Sequence, residues 1–446
     1  MVSGLPLLGI IFVVIIMVVI ASSRYSINPF LTLLIGGIIA GLLAGMPIND
    51  VMPALTKGFG DMAGNIGIII IMGSIIGHFL EKSGAAETIA KRFIQVTGEK
   101  KVIGAMSAIG SLIGIPVFCD SGYILLSASG KNLARRTGRS AAAISIATAT
   151  GLYATHVLVP PTPGPLAAAG NLGAGNAIGL VILLGLVAAV PATLAGYFWA
   201  MYAAKKIRIF NEEKVIAEEL RVVLPPLWKS VFPIALPLLM IIAGTIATTF
   251  VADKSNMPLL DFVSNPNVAL MAGAISSIIL LRGLSFNTAL AIEEGIRQAG
   301  PILLITCAGG AFGGVLKSLP LATTIESFLK TYEVNGVMLL PFLFLVTAGI
   351  KTAQGSSTAA LVIVSSLFAP MMPALQIEGA TASALLVIVL GSGAMTVSHT
   401  NDSYFWVISK FSGMNVRQTL YGFTVASLIQ GVVTLLTAML MWTLLI

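Results

Sequence analysis

Thr155-His156-Val157-Leu158-Val159-Pro160-Pro161-Thr162-Pro163-Gly164-Pro165 is the stretch on which the reading of this chain turns. It lies inside Ser140 to Ala204, a segment with no Asp, Glu, Lys or Arg that is long enough to cross a bilayer twice with a loop between. Pro160, Pro161, Pro163 and Pro165 prevent one continuous helix from forming there. Irregular backbone at membrane depth is tolerated only where it is buried in protein or lines a cavity. Three more interruptions share this character. They are Ile115-Pro116-Val117-Phe118-Cys119-Asp120-Ser121-Gly122, Lys351-Thr352-Ala353-Gln354-Gly355-Ser356-Ser357-Thr358 and Ser398-His399-Thr400-Asn401-Asp402-Ser403.

The interruptions fall in corresponding places of a doubled chain. Asn28-Pro29 opens an apolar run with Leu33, Gly36 and Ile38; about 237 residues later Asn265-Pro266 opens another, with Leu270, Gly273 and Ile275. In the same register Gly73, Gly77, Leu80, Ala86, Thr88 and Ile89 recur as Gly309, Gly313, Leu316, Ala322, Thr324 and Ile325. A duplicated apolar chain with broken segments is the sequence mark of a secondary transporter. At 57% hydrophobic and 10% charged over 446 residues, the chain is not a soluble protein. It carries no Walker-type nucleotide loop, so ATP-driven transport would need another subunit. Cys119 and Cys307 both lie in apolar segments, which argues against a disulfide framework. The net charge of +7 reflects loop charges that set orientation, not a nucleic-acid partner.

Ten spans are expected, at 5–22, 27–45, 62–81, 140–170 and 176–204, then 231–251, 266–282, 299–317, 380–409 and 418–446. The first reads as a retained span and not a cleaved signal. Extra apolar pieces at 102–130 and 336–376 read as re-entrant hairpins, since the first, of about 29 residues, cannot supply two spans; the second, of about 41, could instead form two thin spans with the same topology elsewhere. Basic residues on both sides of it, Lys82, Lys91, Arg92, Lys100 and Lys101, then Lys131, Arg135, Arg136 and Arg139, put both its ends in the cytoplasm. The same topology brings Arg24, Lys205, Lys206, Arg208, Lys214, Arg221, Lys229, Arg282, Arg297, Lys410 and Arg417 inside. Only Lys57, Lys254, Lys317 and Lys330 fall outside, and Lys351 stays in the membrane. Both termini come out external, and five spans per half make the halves inverted. The stretches 82–100 and 318–335 read as interfacial helices or ordinary polar loops. The expected fold is an all-α polytopic membrane protein, an inverted repeat of five spans plus one hairpin per half.

Broken helices and hairpin tips expose N–H groups that attract anions. Ser121, Ser356, Ser357 and Thr358 add hydroxyl donors without bulk. Lys351 reads as the countercharge to an anionic substrate, or as a side chain snorkelling to an interface. Asp120 and Asp402, at roughly 2.5–3.5 kcal/mol each on insertion scales, read either as helix N-caps or as proton acceptors. His156 and His399 occupy equivalent places and read as substrate or proton ligands, or as hydrogen-bonded structural residues. His78, beside Glu81 and Lys82, reads as interfacial.

These motifs resemble those of the gluconate permease family of the ion-transporter superfamily, along essentially the whole chain. The most specific are Ser398-His399-Thr400-Asn401-Asp402 with Phe405-Trp406, and Thr155-His156 with Pro160-Pro161-Thr162-Pro163-Gly164-Pro165; Gln354-Gly355-Ser356-Ser357-Thr358 and Asp120-Ser121-Gly122 also match in type. The resemblance implies proton-coupled uptake of gluconate or a related sugar acid across a bacterial inner membrane. It also implies an elevator-like motion, needing neither cofactor nor metal. Ser121, Gly122, His156, Thr162, Lys351, Gln354, Gly355, Ser356, Ser357, Thr358, His399 and Asn401 are then the substrate ligands, with Asp120 and Asp402 for proton coupling. Residues 82–204 and 318–446 form the transport domain, 1–81 and 231–317 the scaffold, and 205–230 a cytoplasmic linker; a homodimer is compatible with this plan. Two departures bear on the substrate: Lys351 stands where Arg is expected, and Thr162 where a second His is common. Sodium-coupled carboxylate transport, D-serine transport and glycerate transport stay open. From other classes come a channel and an intramembrane serine protease built on Ser356 or Ser357 with His399.

Overall fold

The computed structural model describes residues 1–23, 25, 27–98, 101–207, 209, 224–250, 258–282, 286–320, 336–373, 375 and 377–446. Among these every regular element is helical. The first half runs α1 (Leu5–Ser23), α2 (Pro29–Leu43), α3 (Ile48–Lys82), α4 (Ala85–Thr97), α5 (Val102–Gly114), α6 (Cys119–Thr137), α7 (Ala141–Leu158), α8 (Pro163–Asn171) and α9 (Ile178–Ala203). The second runs α10 (Leu227–Phe250), α11 (Pro258–Ser264), α12 (Pro266–Leu281), α13 (Thr288–Lys317), α14 (Gly336–Gln354), α15 (Ser357–Phe368), α16 (Ala380–Met395), α17 (Ser403–Ser412), α18 (Val416–Thr419) and α19 (Val425–Leu445).

The repeated Asn-Pro pairs have a local cause. Asn28 caps α2 by accepting from Phe30 N–H at 2.9 Å, and Asn265 caps α12 by accepting from Asn267 N–H at 2.9 Å. In each helix proline fills the first position, where no N–H is needed. The long helices α3 and α13 then cross with backbones in contact. An added Cβ at Gly310 would sit 2.7 Å from the Gly58 carbonyl oxygen, and one at Gly314 would sit 2.6 Å from that of Ala54. Around this crossing α2 packs on α13 and α12 on α3. The repeated glycines also receive the interrupted elements. Gly77 faces the Pro116 carbonyl, Gly73 faces Pro161, Gly309 faces Val362 and Gly313 faces Ser366.

Several boundaries differ from the sequence reading. The third and eighth spans begin well before 62 and 299, at Ile48 and Thr288. Their charged N-terminal stretches, with Asp50, Lys57 and Asp61 in α3 and Glu293, Glu294 and Arg297 in α13, are helical despite resembling loop sequence. Among the described residues six helices are long and apolar enough to cross a membrane, or seven if the bent pair α11–α12 is one span. The ten-span count exceeds that. At 1.5 Å per residue, the 15 residues of α2 reach only about 22 Å, short of a hydrocarbon core of about 30 Å.

The first hairpin extends past 130, because Lys131, Leu133, Ala134, Arg135 and Arg136 are good helix formers and the C-terminal dipole favours Arg135 and Arg136. It stops at Gly138, whose φ of 66° is left-handed. Of the two expected surface segments, the first is helix α4, with Ala85, Ala86, Ile89 and Ala90 buried along one side. The second lies mostly outside the described residues, as do most of the linker and Arg24, Lys100, Arg208, Lys214, Arg221, Lys254 and Lys330.

The crossing gives a direct test. Gly310→Ala should force α3 and α13 apart and lower stability by about 1–3 kcal/mol. Gly300→Ala, where the new Cβ meets nothing within 4 Å, should be neutral or slightly stabilising. Thermal unfolding of the two purified variants in detergent compares them; equal midpoints would contradict the close crossing.

Candidate functional site

The first hairpin turn is short. Ile115 to Phe118 separate α5 from α6, and Phe118 is the N-cap residue. Asp120 is therefore the second residue of α6 and not its cap. Its Oδ2 accepts from the Ser403 hydroxyl at 3.3 Å, while Oδ1 is buried with no hydrogen-bond partner. Ser121 is half-buried, and Gly122 faces α7, where an added Cβ would lie 2.7 Å from Leu152 Cδ2.

In the broken fourth span, α7 ends at Leu158 with Thr155 and His156 in its last turn. The Thr155 hydroxyl donates to the Ser111 carbonyl at 2.8 Å, tying the break to α5. The Pro160–Pro161 bond is cis, and Thr162 is the N-cap residue of α8 with its hydroxyl turned back to the Val159 carbonyl at 2.7 Å. His156 packs against the Phe118 ring, centroids 5.9 Å apart, and its Nδ1 is buried without a partner.

The second hairpin is mostly helix. Helix α14 continues through Lys351 to Gln354, since Thr352, Ala353 and Gln354 do nothing to stop it. The turn reduces to Gly355, at φ 80°, and Ser356, which caps α15 by accepting from Ala359 N–H at 3.2 Å. Only glycine fits at 355: an added Cβ would collide with the Asn401 carbonyl, besides the unfavourable φ. Both amide atoms of the Gln354 side chain are buried and unpartnered.

Lys351 is fully buried, and its ammonium lies 2.6 Å from Asp402 Oδ2 and 3.1 Å from the Gly355 carbonyl. Asp402 also accepts from the Ser398 hydroxyl in a short bond through Oδ2. It caps α17 by accepting from Tyr404 N–H through Oδ1 at 3.0 Å. Removing two charges from water costs several kcal/mol each, so such a pair persists only when hydrogen bonds meet the remaining lone pairs, as they do here. The chain itself thus supplies a counter-ion to Lys351, the residue read from the sequence as the countercharge to an anionic substrate. Asp402 thus serves as a helix N-cap.

Around this pair the ninth span breaks between Met395 and Ser403. Val397 sits there at φ 53°, a costly left-handed conformation for a β-branched residue. His399 Nε2 and Asn401 Nδ2 both reach the Thr352 carbonyl, at 3.0 and 2.7 Å, which fixes the Nε2–H tautomer of His399. The Ser357 hydroxyl is 2.7 Å from the Tyr153 hydroxyl, and Gly164 abuts Thr358. Behind the site Tyr123, Tyr153, Tyr404 and Phe423 form a buried aromatic wall with ring centroids 5.3–6.1 Å apart.

All four interruptions thus meet. Asp120 joins the first tip to α17, Phe118 and His156 join it to the first break, and Tyr153 and Thr358 bring α7 and α8 to the second tip. His78 lies apart, with Nδ1 3.2 Å from Gln298 Nε2 between α3 and α13. The sequence reading overlooked Tyr153 and the Lys351–Asp402 pair. The available signal was a lone cation and a lone anion at depth, which generally find each other.

A family model described as GntP family permease matches residues 5–445. The chain is similar to a gluconate permease of Zymomonas mobilis, with 30% identity over 433 residues that cover 95% of this chain and 94% of that one. It is similar to the D-serine transporter of Escherichia coli K12, with 31% identity over 433 residues, 94% and 95% of the two chains. Its fold is like that of the YdaH transporter of Alcanivorax borkumensis, with a TM-score of 0.64 and 18% identity over 88% of this chain and 87% of that one.

The ion pair can be tested apart from any activity. Lys351→Met or Asp402→Leu alone leaves one buried charge unpaired and should destabilise by about 3–5 kcal/mol. The double variant should recover a large part of that loss. Additive losses in detergent unfolding would mean the two groups do not interact as described.

Proposed function

The chain belongs to the GntP family of permeases, and we propose that it carries gluconate or a related small hydroxylated carboxylate inward together with protons. Members of this family are transporters and not enzymes, so the protease reading falls away. The observation that carries the proposal is the charge balance of the site. Lys351 is neutralised by Asp402, and Asp120 is left with one hydroxyl donor and an unpartnered oxygen. An anion entering such a site meets no free cation and one like charge. A proton taken by Asp120 removes that repulsion, so anion and proton enter together.

In this reading the substrate carboxylate sits on the N–H groups of Ser357 and Thr358 at the start of α15, near the buried ammonium. Ser121, His156, Thr162, Gln354, His399 and Asn401 meet its hydroxyls; the unpartnered groups of His156 and Gln354 are the open positions. Lys351 acts through Asp402, setting the second tip against α17. Residues 82–204 and 318–446 move as one body against 1–81 and 231–317, with inverted halves and both termini outside. The glycine contacts of α3 and α13 with Pro116, Pro161, Val362 and Ser366 form the boundary between the two bodies. A second substrate reading follows from the relative that transports D-serine: its ammonium would lie against an ionised Asp120 and require no proton.

Uptake in proteoliposomes distinguishes these readings, using labelled gluconate, glycerate and D-serine under separately imposed pH and Na⁺ gradients. Gluconate should accumulate under an inward proton gradient. Asp120→Asn should abolish accumulation while retaining exchange down the substrate gradient. Undiminished accumulation by the folded Asn variant would exclude Asp120 as the coupling group, and accumulation driven by Na⁺ alone would overturn proton coupling.

A further inference from the structure

A cleft of about 380 Å³ opens at the opposite ends of α8 and α15 from the interrupted elements. Lys57, Asp61 and Asn65 line it from α3, Lys317 from the end of α13, and Asn171 and Ser366 from α8 and α15. The 9 residues of α8 and 12 of α15 place it roughly 13–18 Å from the break and the tip, at 1.5 Å per residue. It is thus separate from the site described above.

The charge of this cleft points to an anion. Lys57 and Lys317 are exposed, come from two crossing helices, and form no ion pair among the described residues. Asp61 is the single acidic residue in the lining, so one positive charge remains. The Asn171 amide is already committed, donating to Ser365 Oγ at 2.8 Å and the Val362 carbonyl at 3.4 Å, which ties α8 to α15 and stiffens that wall. Gly58, Gly310, Gly313 and Gly314 also line the cleft, and side chains at those positions would intrude on it or on the crossing beneath. The volume falls within the usual range of about 300–1,000 Å³ for small-molecule sites.

We propose that this cleft is a second anion site, which takes a small hydroxylated carboxylate on Lys57 and Lys317. The proposal rests on the reading above for the identity of that carboxylate. The charge-derived topology puts both lysines on the outer side, where the cleft collects substrate for the transport site.

Chemical labelling tests the cleft without requiring transport. Ser318 is exposed and lines it. A Ser318→Cys variant is treated with a sulfonate-bearing and a trimethylammonium-bearing methanethiosulfonate, after subtraction of the wild-type background from buried Cys119 and Cys307. The sulfonate should react faster relative to the cationic reagent than it does with free cysteine, by on the order of tenfold. Lys57→Gln with Lys317→Gln should abolish that preference. Millimolar D-gluconate, but not D-glucose, should slow labelling, and equally so in the Asp120→Asn background. An unchanged reagent ratio in the double Gln variant, or no protection by gluconate, overturns the proposal. Protection that arises only in phosphatidylglycerol vesicles would assign the cleft to a lipid phosphate and overturn it too. Loss of proteoliposome uptake with labelling protection intact would strike at the transport reading alone.

Discussion

A buried ammonium 2.6 Å from a buried carboxylate sets the arrangement of this site. Neither group is tolerable alone in a low-dielectric interior, so Lys351 near the end of α14 and Asp402 at the start of α17 must stay together. That requirement positions the second hairpin tip on the broken ninth span. The hydrogen bonds of His399 and Asn401 to Thr352, and the glycine contact at 355, follow from that docking. Because the pair is internally neutral, it also hands the unbalanced charge of the site to Asp120, which lies on a different element.

The interruptions solve a common problem in different ways. Each ends a helix and starts another, leaving backbone groups that need partners away from water. Ser356 and Asp402 cap their helices with side chains. Thr162 instead bonds backwards to Val159, and α6 has no side-chain cap at all. The uncapped starts at α6 and α8 and the unpartnered atoms of Asp120, His156 and Gln354 surround one region. The second-half helix starts are thus capped by the protein's own side chains, whereas those of α6 and α8 are not.

Much of this architecture was legible because local rules act locally. Asn-Pro pairs announce helix starts, Gly138 and Gly355 mark stops and turns, and four prolines within six residues break a span. The starts of α3 and α13 were hidden because Asp50, Lys57, Glu293 and Glu294 resemble loop residues, although straight-chain ionic residues are good helix formers. The location of Lys351 within a helix was missed for a related reason: Gln-Gly-Ser-Ser suggests a turn, but the helix ends only when glycine is reached. The pairing of Lys351 with Asp402 spans 51 residues and obeys no spacing rule. Sequence could nominate both groups by the cost of leaving them at depth, but not the contact between them.

The crossing of α3 with α13 has a consequence for biogenesis. Ala54, Gly58 and Met62 emerge from the ribosome long before Gly310 and Gly314, which complete the contact, and α2 must likewise await α13 as its neighbour. The first half therefore enters the bilayer with exposed backbone seams that only later-synthesised helices can close, and contacts this distant in sequence form slowly. During that interval the nascent chain depends on lipid or on insertion machinery to shield those seams. Truncation before α13 would leave a fragment open along its most closely packed face, a natural target for membrane proteolysis.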